Sequence, residues 1–267
     1  MTNIVVLIKQ VPDTWSERKL SDGDFTLDRD AADAVLDEIN ERAVEAALLI
    51  KEKEEAEGGA GKVVVLTLGP ERAGEAIRKA LSMGADEAVH VLDDRVAGSD
   101  MVQTAWVLAH AIGQVEPPAD LVITGNQATD GTGGTVPAII AQNLGVPQLT
   151  HMRDFTVEGG TVTGLRETDE GQQTLEATLP AVVSVHEKIN EPRFPSFKGI
   201  MAAKKKEVRT LTLDDIGVSA EDVGLANANS KVSSAAPRPA KSAGEKVSDE
   251  GDGGTKIAEY LVAQKII

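Results

Sequence analysis

Short runs of β-branched residues alternate along the chain with segments of helical period, and that alternation restricts the fold more than any other feature. Ile4 to Ile8, within MTNIVVLIKQVPD, is followed by VVVLTLG at 63–69, AVHVL at 88–92 and DLVITG at 120–125. Each run is short and closed by Gly, Pro or Asp, the pattern of strands buried on both faces. Between them apolar residues recur at three and four. The series are Leu36, Ile39, Ala43, Ala46, Ala47 and Ile50 in 35–50, Ala73, Ala76, Ile77, Ala80 and Leu81 in 71–83, and Met101, Ala105, Leu108 and Ile112 in 99–113. Strand and helix taking turns predicts an α/β fold, a doubly wound and mostly parallel sheet with helices on both faces. The first apolar run is far too short to cross a bilayer and does not read as a secretory signal. A cytoplasmic protein without membrane insertion is expected.

Residues 150–185 break the pattern. FTVEGGTVTGL alternates around Gly159-Gly160, which predicts a small antiparallel hairpin, and LPAVVSV then returns as one more buried strand. From 229 the chain turns to Ser, Ala, Gly, Pro and charge, a composition that buries little and predicts a flexible linker over 229–255. KIAEYLVAQKII then places Ile257, Tyr260, Leu261 and Ile266 at helical spacing, so 256–267 is expected as an amphipathic helix. The expected organisation is an α/β nucleotide-binding domain over 1–228 that carries a docking loop at 190–206, then the linker, then the helix.

Composition narrows the function. Forty-three acids against 27 bases give a net charge of −16, which repels phosphates and argues against a nucleic-acid partner. An acidic excess spread along the whole chain fits a halophilic protein adapted to high salt, with ordinary acidic surface chemistry as the alternative. No cysteine is present, which excludes disulfides, thiol catalysis and cysteine-bound metal. The four histidines, His90, His110, His151 and His186, have no metal-ligand spacing. Walker, GxGxxG, GxSxG, HExxH and SGGxD motifs are all missing. The chain reads as a cofactor holder, not as an enzyme.

The strongest local signal is GNQATDGTGGTVP at 125–137. A buried strand ends at Gly125, a polar loop with three more glycines follows, and Pro137 opens a helix where proline is tolerated. Such a loop lets backbone N–H groups approach a phosphate, and the helix dipole adds attraction. Thr129, Thr132 and Thr135 offer hydroxyl groups, while Asp130 either accepts from a ribose or orients the loop. An ordinary glycine-rich turn is the alternative. In parallel sheets ligands lie beyond the carboxyl ends of strands, which gathers Leu7 to Gln10, Leu68 to Pro70 and 125–135 around one crevice.

The second signal is NEPRFPSFKGIMAAKKK at 190–206, which spends rare aromatic residues on a proline-stiffened loop and ends in three lysines. Arg193 is placed to pair with an acid or a phosphate, with a buried structural salt bridge as the alternative. This stretch closely resembles the signature of electron-transfer flavoprotein beta subunits. Other blocks match in order: VLIKQVPDT at 6–14, TLDRD at 26–30, ERAVEAAL at 41–48, LTLGP at 66–70, RKALSMGADEAVHV at 78–91 and GNQATDG at 125–131. The resemblance covers residues 1–217.

The resemblance implies a doubly wound domain that pairs with an alpha subunit. The alpha subunit would supply most of the site for a shared FAD, and the beta site would hold AMP. In bifurcating members, which take electrons from NADH, a second FAD replaces AMP. Electrons would pass from dehydrogenases to a quinone oxidoreductase or another acceptor. By position, the family's nucleotide contacts fall on Leu7, Asp37, Glu38, Ile39, Asn40 and Leu68, and on Gly125, Asn126, Gln127, Ala128, Thr129, Asp130, Gly131, Thr132, Gly133, Gly134 and Thr135. Partner docking falls on Arg193, Phe194, Phe197, Lys204, Lys205 and Lys206, with Phe197 where the family usually has leucine. Two departures stand out: Asp37 replaces the family's usual Asn, and TDGTGGTVP leans toward the D-G-D-T branch that contains the bifurcating proteins. A universal-stress-type nucleotide-binding regulatory module and an ATP-using activating enzyme share such a sheet. The first gives no reason for 190–206, and the second lacks its SGGxD loop.

Overall fold

The structure, a computed structural model, describes residues 2–236, 239–240, 244 and 246–267. It divides into two units, 1–233 and 234–267. The linker expected over 229–255 therefore falls partly outside the described residues.

In the first unit the chain runs β1 (Ile4–Leu7), β2 (Gln10–Pro12), β3 (Lys19–Leu20), β4 (Leu27–Asp28), β5 (Ala34–Leu36) and α1 (Glu38–Ala56). It continues through β6 (Val63–Leu68), α2 (Gly74–Met83), β7 (Glu87–Val91), α3 (Met101–Ile112), β8 (Leu121–Gly125) and α4 (Val136–Leu144). Then come β9 (Gln148–Glu158), β10 (Thr161–Thr168), β11 (Gly171–Thr178), β12 (Ala181–Val185), α5 (Phe197–Ala203) and β13 (Val208–Leu211). The second unit holds α6 (Gly253–Ala263), which starts before the expected helix and leaves Ile266 beyond its end.

Nine strands form one sheet in the order β11-β10-β9-β12-β8-β1-β6-β7-β13. From β9 to β13 all neighbours are parallel, while β10 and β11 add an antiparallel edge. Strand β1 lies between β6 and β8, with Ile4 level with both Val63 and Leu121. The chain thus leaves β1 toward one edge and later builds the other. That reversal opens a crevice at the carboxyl ends of β1 and β8.

Alternate residues of the central strands feed two cores. Ile4, Val6, Val65 and Ile123 pack with Ala43, Val44 and Ala47 of α1 and with Ile77 and Leu81 of α2. Val5, Val64, Leu66 and Val122 pack with Ala105 and Leu108 of α3 and Ile140 of α4. Burial on both faces is why these strands read as unbroken apolar runs.

Helix ends follow local chemistry. Asp37 caps α1, and Asp100 with Gln103 forms a capping box on α3. Pro137 lies in the first turn of α4, and Gly145, at φ +67, ends it. Helix α1 runs past the expected end at 50 because Lys51 to Ala56 are good helix formers that lie on no apolar stripe. The hairpin turns at Gly159 and Gly160, at φ +58 and +79, where side chains are disfavoured. Two small antiparallel sheets, β2–β5 and β3–β4, fold 10–36 into an excursion that no sequence pattern announces. Among the described residues, no helix is long and apolar enough to cross a membrane.

Candidate functional site

A cleft of about 280 Å³ opens at the carboxyl ends of β1, β6 and β8. Ten of the expected site residues line it: Leu7, Asn40, Leu68, Gly125, Asn126, Gln127, Ala128, Gly131, Gly133 and Gly134. Ser99, Asp100, Met101 and Thr104 complete the wall from the start of α3. The period of α3 marks it as a helix but says nothing about a ligand, so this wall was not expected. Gly125 is glycine for a steric reason, whereas Gly133 meets only the movable side chain of Met101. A Cβ on Gly125 would lie 2.7 Å from Asn40 Nδ2, and one on Gly133 would lie 2.5 Å from Met101 Sδ.

Asp37 sits beneath this cleft and does not line it. Fully buried, it accepts from the N–H groups of Ile39 (2.9 Å) and Asn40 (3.3 Å), and from Thr129 N (2.7 Å) and Thr129 Oγ1 (2.8 Å). One carboxylate caps α1 and ties down the glycine-rich loop. Asn40 Oδ1 accepts from Lys9 N at 2.8 Å, which fixes the chain leaving β1.

Asp130 also faces inward. Its oxygens take Lys9 Nζ at 2.8 Å and Arg29 Nη2 at 2.9 Å, and its side chain is 1% exposed. Burial alone would push this carboxyl up, but Lys9 and then Arg29 outweigh it and hold it below its ordinary range. Burial pushes the Lys9 ammonium down, with Asp130 opposing. Arg18 Nη1 donates to Thr129 O at 2.8 Å, so the excursion 10–36 serves as a clamp on the loop. Of the two roles open to Asp130, the geometry matches loop orientation.

Thr132 turns at φ +49, a conformation β-branched residues rarely adopt, and its N–H donates to Ala128 O at 2.8 Å. Thr135 Oγ1 donates to Gly133 O at 2.8 Å. Glu38, Ile39, Thr129 and Thr132 border a separate depression together with Arg42 and Arg153. Among the described residues, no acceptor is within hydrogen-bond reach of the N–H groups of Gly133 and Gly134, which precede the start of α4. Asn126 Oδ1, among the described residues, is buried without a partner. Unused donors at a helix N-terminus, with Asp130 paired to Lys9 and Arg29 and Asp37 turned to internal hydrogen-bond donors, make a cradle for an anion.

The arm at 190–206 is anchored from behind. Arg193 donates to Glu45 from Nε (2.7 Å), Nη2 (2.9 Å) and its backbone N (3.1 Å), and it pairs with Glu52 as well. Its guanidinium is committed inside the chain and is held above its ordinary range by these acids. Ser196 caps α5 by accepting from Gly199 N at 3.0 Å. Phe194 and Phe197 are 96% and 79% exposed, so neither is core. Lys204 and Lys205 are exposed, whereas Lys206 turns back to donate to Ala85 O. The positive cluster facing solvent is therefore smaller than three lysines in a row imply.

Comparison with known proteins decides the family. The model for the electron transfer flavoprotein domain matches residues 24–216. Electron transfer flavoprotein subunit beta of Mycobacterium tuberculosis is 73% identical over 267 residues, all of both chains. The chain is an electron transfer flavoprotein beta subunit. The Megasphaera elsdenii beta subunit is 36% identical over 275 residues, 99% of each chain. A caffeyl-CoA reductase-Etf complex subunit of Acetobacterium woodii is 35% identical over 98% of this chain and 97% of its own. Within this beta subunit the domain match takes in the cleft residues from Asn40 on, the clamp from β4 onward, and the arm. The stress-type module and the ATP-using enzyme are thereby set aside.

Proposed function

We propose that this beta subunit holds AMP in the cleft between β1 and β8, with the phosphate on the N–H groups of Gly133 and Gly134 at the start of α4. An alpha subunit completes a heterodimer and supplies most of the site for a shared FAD. The arm at 190–206 presents Phe197 to dehydrogenases, and electrons pass on to a quinone oxidoreductase. The subunit carries electrons in the cytoplasm and makes or breaks no substrate bonds itself.

One observation carries this reading. In a chain of net charge −16, the acids nearest the loop, Asp37 and Asp130, are spent on internal partners while the N–H groups of Gly133 and Gly134 make no hydrogen bond among the described residues. The cleft, at about 280 Å³, lies just below the roughly 300–1,000 Å³ of pockets that enclose drug-sized ligands, which favours a mononucleotide over a second FAD. Co-expression with the alpha subunit, followed by counting flavin and AMP per heterodimer, tests it. One FAD with one AMP is expected. Two flavins would replace AMP by FAD in the beta site, and a heterodimer without adenylate in this subunit would overturn the reading.

A further inference from the structure

Asn126 follows β8 directly, lines the cleft and is only 8% exposed. Its Nδ2 lies 3.3 Å from His151 Nδ1, while its Oδ1, among the described residues, has no partner. A buried carbonyl oxygen left unpaired is costly, so a group that enters the cleft and donates to it is favoured.

His151 is held where it stands. It adopts φ +60, unusual for a residue with a side chain, and its N–H donates to Ser184 Oγ at 2.9 Å. The register between β12 and β9 shifts between Val183 and Val185, beside this contact. Such irregularities re-aim a side chain. Here the ring is brought to the end of β8, where Asn126 begins the loop.

We infer that Asn126 sets ligand specificity. Its Oδ1 accepts from an N–H or O–H of the bound nucleotide, and His151 is the positioning residue that decides which end of the amide faces the cleft. The assignment rests on adenylate occupying that cleft. With Nδ1 unprotonated, His151 accepts from Nδ2, and Oδ1 is left for the ligand. A proton on Nδ1 turns the amide over and sets its N–H₂ against the ligand's donor. The charged and titratable groups facing His151 are Arg166, on β10, and His186, just after β12. Arg166 is itself fixed by Thr150, to O at 2.8 Å and to Oγ1 at 3.0 Å. Burial, then Arg166 and His186, hold His151 below its ordinary value, so it is neutral near pH 7.

The test uses the full chain in complex with its alpha subunit, stripped of nucleotide and titrated by calorimetry with AMP, IMP, 2′-deoxy-AMP and 3′-deoxy-AMP. IMP lacks the base amine, and each deoxy compound lacks one ribose hydroxyl. The wild type is expected to bind one of these analogues about tenfold more weakly than AMP, the effect of one lost hydrogen bond to a buried acceptor. In Asn126→Leu that preference disappears. AMP binding by the wild type weakens as pH falls through the lowered His151 value, and more than in His151→Leu, which keeps only the dependence set by the nucleotide's own phosphate; identical pH profiles in the two overturn the positioning role of His151. The second variant decides the matter even where the first folds poorly. Equal binding of all four nucleotides by the wild type, or a preference that survives in Asn126→Leu, overturns the role of Asn126. A wild type that binds none of them removes the adenylate reading as well, so the two failures are distinct.

Discussion

Asp37 and Thr129 are 92 residues apart in sequence and meet through two hydrogen bonds, from Thr129 N at 2.7 Å and Thr129 Oγ1 at 2.8 Å. The same carboxylate caps α1. Asp37→Ala therefore removes an N-cap and leaves partly buried donors of Thr129 unpaired. The expected loss is about 2–4 kcal/mol, the sum of a cap and an unsatisfied buried group. Urea denaturation measures it, and an unchanged midpoint would refute the anchoring role. Asp37→Asn keeps one acceptor oxygen, enough for the helix cap or for Thr129 but not for both, and should lose less than Asp37→Ala.

Acid weakens the loop through Asp130. Its folded-state carboxyl lies below the ordinary value because Lys9 and Arg29 outweigh burial. Stability from this group is then fully present above the usual carboxylate range, near pH ~4, and is lost as pH falls through the depressed folded value. Asp130→Asn is expected to be less stable than wild type at pH 7, with the difference shrinking at pH 3. Thermal melts across that interval provide the comparison. A gap that widened on acidification would contradict the ion pairs with Lys9 and Arg29.

Phe197 projects from the arm, 79% exposed, on a helix whose start is fixed by Ser196. Phe197→Ala is expected to leave folding and nucleotide content intact and to slow reduction by a partner dehydrogenase about 30-fold, the effect of about 2 kcal/mol at an interface. Stopped-flow reduction at varied dehydrogenase concentration separates weaker docking from slower transfer. A parallel fall in thermal stability would assign Phe197 to packing instead.

Gly199 tests the arm's placement without touching its tip. An added Cβ would lie 2.4 Å from the carbonyl oxygen of Ser82, backbone that has no room to yield. Gly199→Ala is expected to lift α5 away from α2, costing about 1–3 kcal/mol as overpacking does. It should also impair docking as Phe197→Ala does, although the aromatic ring remains. Full stability in this variant would show that the contact yields.

The sheet was legible because burial on both faces leaves a plain mark: Ile4–Leu7, Val63–Leu68 and Leu121–Gly125 have almost no polar side chains to confuse the reading. The hairpin was legible from Gly159 and Gly160. Strand β11 was not, since GQQTLEAT lies at the edge, largely exposed, and needs no apolar alternation. The sheets within 10–36 are only two or three residues wide and take their register from tertiary contacts. At the site, glycine spacing and strand ends pointed to a loop that lines the cleft. The duties of its acids stayed hidden because their partners, Thr129 for Asp37 and Lys9 and Arg29 for Asp130, are remote in sequence. Arg193 shows the same limit, as its acids lie 148 and 141 residues earlier.

Helix α1 is also a strut. Its cap grips the glycine-rich loop through Asp37, and further along Glu45 and Glu52 grip Arg193 at the root of the arm. At 1.5 Å per residue, Asp37 and Glu52 are separated by about 22 Å of rigid rod. The glycine-rich loop and the root of the arm are thus held by one lever, and a small tilt at either is delivered to the other.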